Sequence, residues 1–120
     1  MKILLVDDDA FLRDMYAVKF KEAGHEVSAA PDAASGLGHL ESDAPDVVLL
    51  DMVMPGMDGI TFLETALKLP NVGSTKFVVL SNQSETADKE RAEKAGAAGY
   101  IVKAESVPSE VVKEVEALMK

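Results

Sequence analysis

The chain has 120 residues, 12 basic and 21 acidic side chains, a formal net charge of −9 and no cysteine. That length suits one domain with a single core, the acidic balance argues against a nucleic-acid or anionic-membrane surface, and the lack of cysteine excludes disulfides and thiolate metal sites. The apolar runs fall far short of the about 20 residues a membrane helix needs, and Met1-Lys2 leads straight into a strand and not a signal peptide, so one cytoplasmic domain over residues 1–120 is expected.

Short apolar runs alternate with longer stretches of helical period, the pattern of repeated βα units around a parallel sheet. Strands are predicted near Lys2–Val6, Glu26–Ala30, Val47–Leu50, Lys76–Ser81 and Tyr100–Lys103. Unbroken Val/Leu/Ile character in the first, third and fourth implies burial on both faces, which makes the sheet a central layer.

The first helix follows Asp9 as N-cap, carries Leu12, Met15, Tyr16, Phe20 and Ala23 at helical spacing, and stops at Gly24. The second, near Asp32–Ser42, contains Gly36 and Gly38. Each costs about 1 kcal/mol against Ala unless close packing needs it, so this helix is expected to be the least stable. The third, near Gly59–Leu69, is capped by Asp58, buries Ile60, Leu63 and Leu67, and ends at Pro70. The fourth, near Ser84–Ala95, offers the sheet only Ala87, Ala92 and Ala95, with Glu85/Lys89 and Glu90/Lys94 as i,i+4 pairs outside. Such a pair contributes about 0.2 to 0.5 kcal/mol against about 1.5 to 3 for a buried Leu, so this helix is a candidate moving part. The fifth starts at Pro108 and buries Val111, Val115, Leu118 and Met119, while His25 and His39 share no ligand spacing and are expected to be exposed.

Asp7 and Asp8 stand at the end of the first strand, Asp51 at the end of the third and Lys103 at the end of the fifth. In an open parallel sheet, ligands bind in the crevice at the carboxyl ends of the strands, so these groups are expected to converge. Clustered carboxylates repel unless a cation or protons compensate, and an oxygen donor set of this kind suits Mg2+. A carboxylate beside such a metal can act as a nucleophile and form an aspartyl phosphate. A near-buried Lys needs a carboxylate partner, and Asp51 is the expected one.

Leu5-Val6-Asp7-Asp8-Asp9, Asp51-Met52-Val53-Met54-Pro55-Gly56-Met57-Asp58-Gly59, Ser81 and Gly99-Tyr100-Ile101-Val102-Lys103 occur in that order. On these motifs the whole chain resembles the receiver domain of two-component response regulators, the CheY-like family. The resemblance implies an α/β flavodoxin-like (βα)5 fold, a doubly wound five-stranded parallel sheet of order 2-1-3-4-5 with helices on both faces. It implies Asp51 as phosphoacceptor, with Mg2+ held by Asp8 and Asp51, by Asp7 through water, and by the backbone carbonyl of Val53. Lys103 and Ser81 would stabilise the transferred phosphoryl group, and Ser81 and Tyr100 would act as the switch that displaces the fourth helix. The implied partners are a sensor histidine kinase or phosphotransfer protein, and downstream an effector protein or a C-terminal output domain beyond Lys120. Output would pass through the face made by the fourth helix, fifth strand and fifth helix, with no external substrate turned over.

Departures from the family pattern carry their own expectations. Ala104 stands where Pro is usual, so a trans Lys103-Ala104 peptide and a rearranged loop at Ala104 to Val107 are predicted. Asn82 replaces a small residue and narrows the route to Asp51, and apolar Val53 implies slow loss of phosphate, with Gln83 as a partial substitute. Ala98-Gly99 replaces the acidic pair common in DNA-binding receivers, which disfavours that subfamily's dimer. Two other functions compete. A phosphohydrolase of the haloacid-dehalogenase type is opposed by Met52-Val53 after Asp51, where Asp-x-Asp is required, and a pseudo-receiver adaptor is opposed by the intact acidic set.

Overall fold

A computed structural model describes residues 1–70 and 72–119. Its elements are β1 (Lys2–Val6), α1 (Ala10–Glu22), β2 (Glu26–Ala30), α2 (Ala33–Asp43), β3 (Val47–Leu50), α3 (Gly59–Ala66), β4 (Lys76–Ser81), α4 (Thr86–Ala95), β5 (Gly99–Val102), a 3-10 turn (Lys103–Glu105) and α5 (Pro108–Leu118). The five strands are parallel and ordered β2-β1-β3-β4-β5, the flavodoxin-like order expected.

In place of the single core expected, alternation along the strands builds two apolar layers, one on each face of the sheet. Leu4, Val6, Val48, Leu50, Phe77 and Val79 face one side with Leu40 of α2, Phe62 and Leu63 of α3 and Ala92 of α4. Ile3, Leu5, Val47, Leu49, Val78 and Leu80 face the other with Tyr16 and Phe20 of α1 and Val111, Val112 and Val115 of α5. Because successive side chains point to opposite faces, the buried stretches Ile3 to Val6, Val47 to Leu50 and Phe77 to Leu80 need apolar residues at consecutive positions. Among the described residues no helix is long and apolar enough to cross a membrane.

Asp9 and Asp58 cap α1 and α3 as the sequence implies, accepting from the backbone N–H of Leu12 and Thr61, and Asp32 caps α2 in the same way, accepting from Ser35. Gly24 sits at φ 94°, a left-handed position that follows α1. Gly36 is required by close packing, since a Cβ there would lie 3.0 Å from both Phe62 and Val6, whereas Gly38 faces open space.

Several expectations need correction. α3 ends at Ala66 and turns Phe62, Leu63 and Ala66 to the sheet, while Ile60 is half-buried and Leu67 is 42% exposed. Leu67 lies instead over Gly96, at the end of α4. On α4, Ala87 is exposed and only Ala92 is fully buried, so the helix is anchored even more weakly than expected. Neither predicted i,i+4 pair forms among the described residues; Glu85 occupies the N-cap position without a side-chain capping bond, and Asp88 and Arg91 approach to 4.0 Å. α5 buries Val112 in addition, with Leu118 and Met119 only half-buried.

β5 begins and ends one residue earlier than predicted, so Lys103 opens the 3-10 turn. Its peptide to Ala104 is trans, as predicted, for no cis peptide occurs among the described residues. His25 is not exposed: its ring bonds Glu116 of α5 at 2.8 Å, and its side chain is only 12% accessible. His39 is half-exposed and bonds Asp43 one turn along α2.

Candidate functional site

β1 and β3 are neighbours at the point where the strand order reverses, so the loops that follow them open a crevice at the carboxyl edge of the sheet. Asp7 is the first residue beyond β1 and Asp51 the first beyond β3. One carboxylate oxygen each of Asp7, Asp8 and Asp51 lies within 4.8 Å of the others. Lys103 reaches in from the end of β5, its Nζ 2.8 Å from Asp7 Oδ2 and 3.3 Å from Asp51 Oδ2. The expected Lys103–Asp51 pair is therefore present, but Asp7 is the nearer partner. Burial pulls the Lys103 ammonium down, yet the hydrogen bond it donates to Asp7 and the charge of Asp51 outweigh it and hold its pKa above the usual lysine range.

The three carboxylates differ in how they are occupied. Asp7 is buried, and both its oxygens are engaged, Oδ1 by the backbone N–H of Asp9 at 2.9 Å and Oδ2 by Lys103. Asp51 Oδ1 accepts from the backbone N–H of Val53 at 3.3 Å. Asp8 is exposed and has no side-chain hydrogen bond among the described residues. Asp51 Oδ2 accepts from Lys103, also at 3.3 Å, so Asp51 is held by two longer bonds than Asp7. An all-oxygen set with one free carboxylate, one loosely held and one tightly held fits a hard, partly hydrated divalent cation.

An open cleft of about 320 Å³ leads to these groups, lined by Asp8, Asp9, Leu12, Asp51, Val53, Ser81, Asn82, Gln83 and Lys103. Asn82 and Val53 thus stand at the entrance. Ser81 is buried at the end of β4, where its Oγ accepts from the backbone N–H of Gln83 at 3.3 Å. The Tyr100 hydroxyl donates to the Gln83 carbonyl at 2.7 Å. The two candidate switch residues are therefore joined through the backbone of Gln83. Burial lifts the Tyr100 phenol above its ordinary range, with the Ser81 hydroxyl opposing in part.

Two contributors had no role in the sequence reading. Arg13 donates from a guanidinium N–H to the Asp7 carbonyl at 2.8 Å. Gly59 donates its N–H to the Met52 carbonyl at 2.9 Å, and a Cβ there would collide with the backbone of Asp51 and Met52. Gly59 is therefore what lets the start of α3 close against the strand end that carries Asp51. A charged residue one turn into a helix, on the side of buried Tyr16, was the available signal for Arg13.

The family profile for the response regulator receiver domain matches residues 3–116. The chain belongs to that family. The receiver is 32% identical over 119 residues to the phosphate regulon transcriptional regulatory protein PhoB of Escherichia coli, which covers 99% of this chain and 52% of PhoB. It is 31% identical over 101 residues to the transcriptional regulatory protein CseB of Streptomyces coelicolor, 84% of this chain and 42% of CseB. The chain thus spans about half the length of the curated relatives it matches. Among solved structures, the chemotaxis protein CheY4 of Vibrio cholerae matches with a TM-score of 0.91 at 27% identity, covering 98% of this chain and 97% of that one.

Proposed function

We propose that this receiver is a phosphorylation-activated switch in which Asp51 accepts a phosphoryl group from a histidine kinase or phosphotransfer partner. The observation that carries the reading is the convergence of Asp7, Asp8, Asp51 and Lys103 on one cleft at the sheet's switch point. A carboxylate oxygen of Asp51 attacks phosphorus, the bond from phosphorus to the donor breaks, and Asp51 keeps the phosphoryl group as an acyl phosphate.

Asp8 and Asp51 would hold Mg2+ directly, Asp7 through water, and the backbone carbonyl of Val53 would complete the protein's share. The tighter hold on Asp7, with bonds of 2.9 and 2.8 Å against 3.3 Å at each oxygen of Asp51, supports that division. Mg2+ held by these residues would supply positive charge against the phosphoryl oxygens. Lys103 stabilises a phosphoryl oxygen once Asp51 is phosphorylated, and the Ser81 hydroxyl donates to another as it moves inward. That movement would disturb the Gln83 backbone and so the Tyr100 hydrogen bond. α4, with only Ala92 fully buried, is the element free to respond. The receiver would signal through the α4-β5-α5 face to an effector protein or a C-terminal output domain and turn over no external substrate.

Incubation with Mg2+ and acetyl phosphate, read by intact mass spectrometry, tests this. One labile phosphoryl adduct is expected in the wild type and none in Asp51→Asn. An adduct that persists in Asp51→Asn, or that forms without divalent cation, would refute the assignment.

A further inference from the structure

Asp7 and Asp8 are joined by a single peptide unit, and the carbonyl of that unit lies outside the strand ladder, since β1 ends at Val6. The group that holds it is the guanidinium of Arg13, at 2.8 Å. Helical side chains lean toward the N-terminus, so a long residue in the first turn of α1 reaches back over the loop that precedes it. Arg13 is half-buried above Tyr16, and with Tyr16, Asp7, Asp51 and Leu80 it lines a small crevice beneath the carboxylates.

The neighbouring bonds fix other parts of the same loop. The Asp7 N–H donates to the Ala30 carbonyl at 3.2 Å, the Asp9 N–H to Asp7 Oδ1 and the Leu12 N–H to Asp9 Oδ1. Asp8, exposed and without a side-chain hydrogen bond among the described residues, depends on the backbone for its direction. Rotation of the Asp7-Asp8 peptide would swing the Asp8 carboxylate away from Asp51.

We propose that Arg13 is a positioning residue: by holding the Asp7 carbonyl it aims Asp8 into the metal site, an inference that rests on the metal reading given above. Loss of a group that orients a metal ligand weakens binding by about 10- to 100-fold. A guanidinium acting only as a nearby positive charge would have the opposite effect, because its removal would strengthen cation binding. The two roles thus predict opposite signs.

The test is Mn2+ affinity, read by electron paramagnetic resonance of the free ion, with thermal melting to confirm folding. Arg13→Met should bind Mn2+ about 10-fold more weakly than the wild type. Arg13→Lys, which keeps a donor, should recover part of the loss. In an Asp8→Asn background, Arg13→Met should cost nothing further, because the pair then shares one effect. Unchanged or tighter binding by Arg13→Met would overturn the proposal, as would an equal loss in the Asp8→Asn background. Should Arg13→Met fail to fold, Arg13→Gln takes its place, because its amide stops short of the position the guanidinium occupies. Wild-type Mn2+ affinity in Arg13→Gln would overturn the proposal in the same way. A wild-type protein that binds no Mn2+ yet takes phosphate on Asp51 would remove the metal reading and this inference while leaving the phosphoacceptor intact.

Discussion

The Lys103 ammonium lies closer to Asp7 than to Asp51, 2.8 Å against 3.3 Å, so it ties the β1 loop to the end of β5. The Lys103 side chain is only 7% exposed and sits between two carboxylates. Removing one partner of a buried ion pair typically costs about 3 to 5 kcal/mol. Lys103→Met should therefore lower the melting temperature without divalent cation. Mg2+ should raise it by more in the variant than in the wild type, because the cation replaces the lost positive charge. Equal Mg2+ shifts in thermal melts of the two proteins would contradict this.

Asp51→Asn should have the opposite sign. It removes one of three carboxylates whose oxygens lie within 4.8 Å while Lys103 keeps Asp7. Relief of that repulsion should raise the Mg2+-free melting temperature by a few degrees, roughly the effect of 1 kcal/mol in a domain of this size. Differential scanning calorimetry in EDTA decides it, and an unchanged or lowered midpoint would mean that repulsion does not govern stability here.

The two glycines of α2 should respond in opposite directions. Gly38→Ala meets nothing within 4 Å and should stabilise by about 1 kcal/mol. Gly36→Ala places a methyl 3.0 Å from Phe62 and Val6. Overpacking of that kind costs about 1 to 3 kcal/mol. Urea unfolding of both variants measures the contrast.

Asp58 provides a pH-dependent term. The Thr61 backbone N–H holds its carboxyl below the usual range against the opposing effect of burial, with help from the Thr61 side chain and the Arg91 charge. Because the folded pKa is depressed, the cap contributes above the unfolded value of about 3.9 and loses that contribution as pH falls through the folded value. Asp58→Ala should cost about 1 kcal/mol at neutral pH. The gap to wild type should shrink below about pH 4. Paired urea titrations at pH 7 and pH 3 would show it, and a constant gap would refute it.

Val53 is 59% exposed at the mouth of the cleft and offers no polar atom to orient an attacking water. Val53→Asn supplies one and, on the proposal that Asp51 is the phosphoacceptor, should shorten the lifetime of the phosphoryl group several-fold, followed by decay of the phosphorylated mass. A lifetime that does not shorten would show that access past Asn82, and not orientation at Val53, limits hydrolysis.

The amino-acid order by itself determined the strands, the N-caps and the placing of Asp7, Asp51 and Lys103 at strand ends, because period, cap chemistry and strand termination act over a few residues. It also placed Asp9 and Asp58 correctly as caps. Other features depend on contacts distant along the chain. Lys103 is 96 residues from Asp7, and His25 is 91 from the Glu116 that draws it into the fold. The face that α3 buries is chosen by the sheet and not by helix period alone, which puts Phe62 and Ala66 inside and leaves Leu67 out. Gly36 read as a weak point in α2 until Phe62 and Val6 closed on it. Short-range geometry thus determined which residues reach the rim of the sheet. Tertiary packing decided which of them touch, since hydrogen bonds and side-chain contacts are set by distances of a few ångströms across the fold.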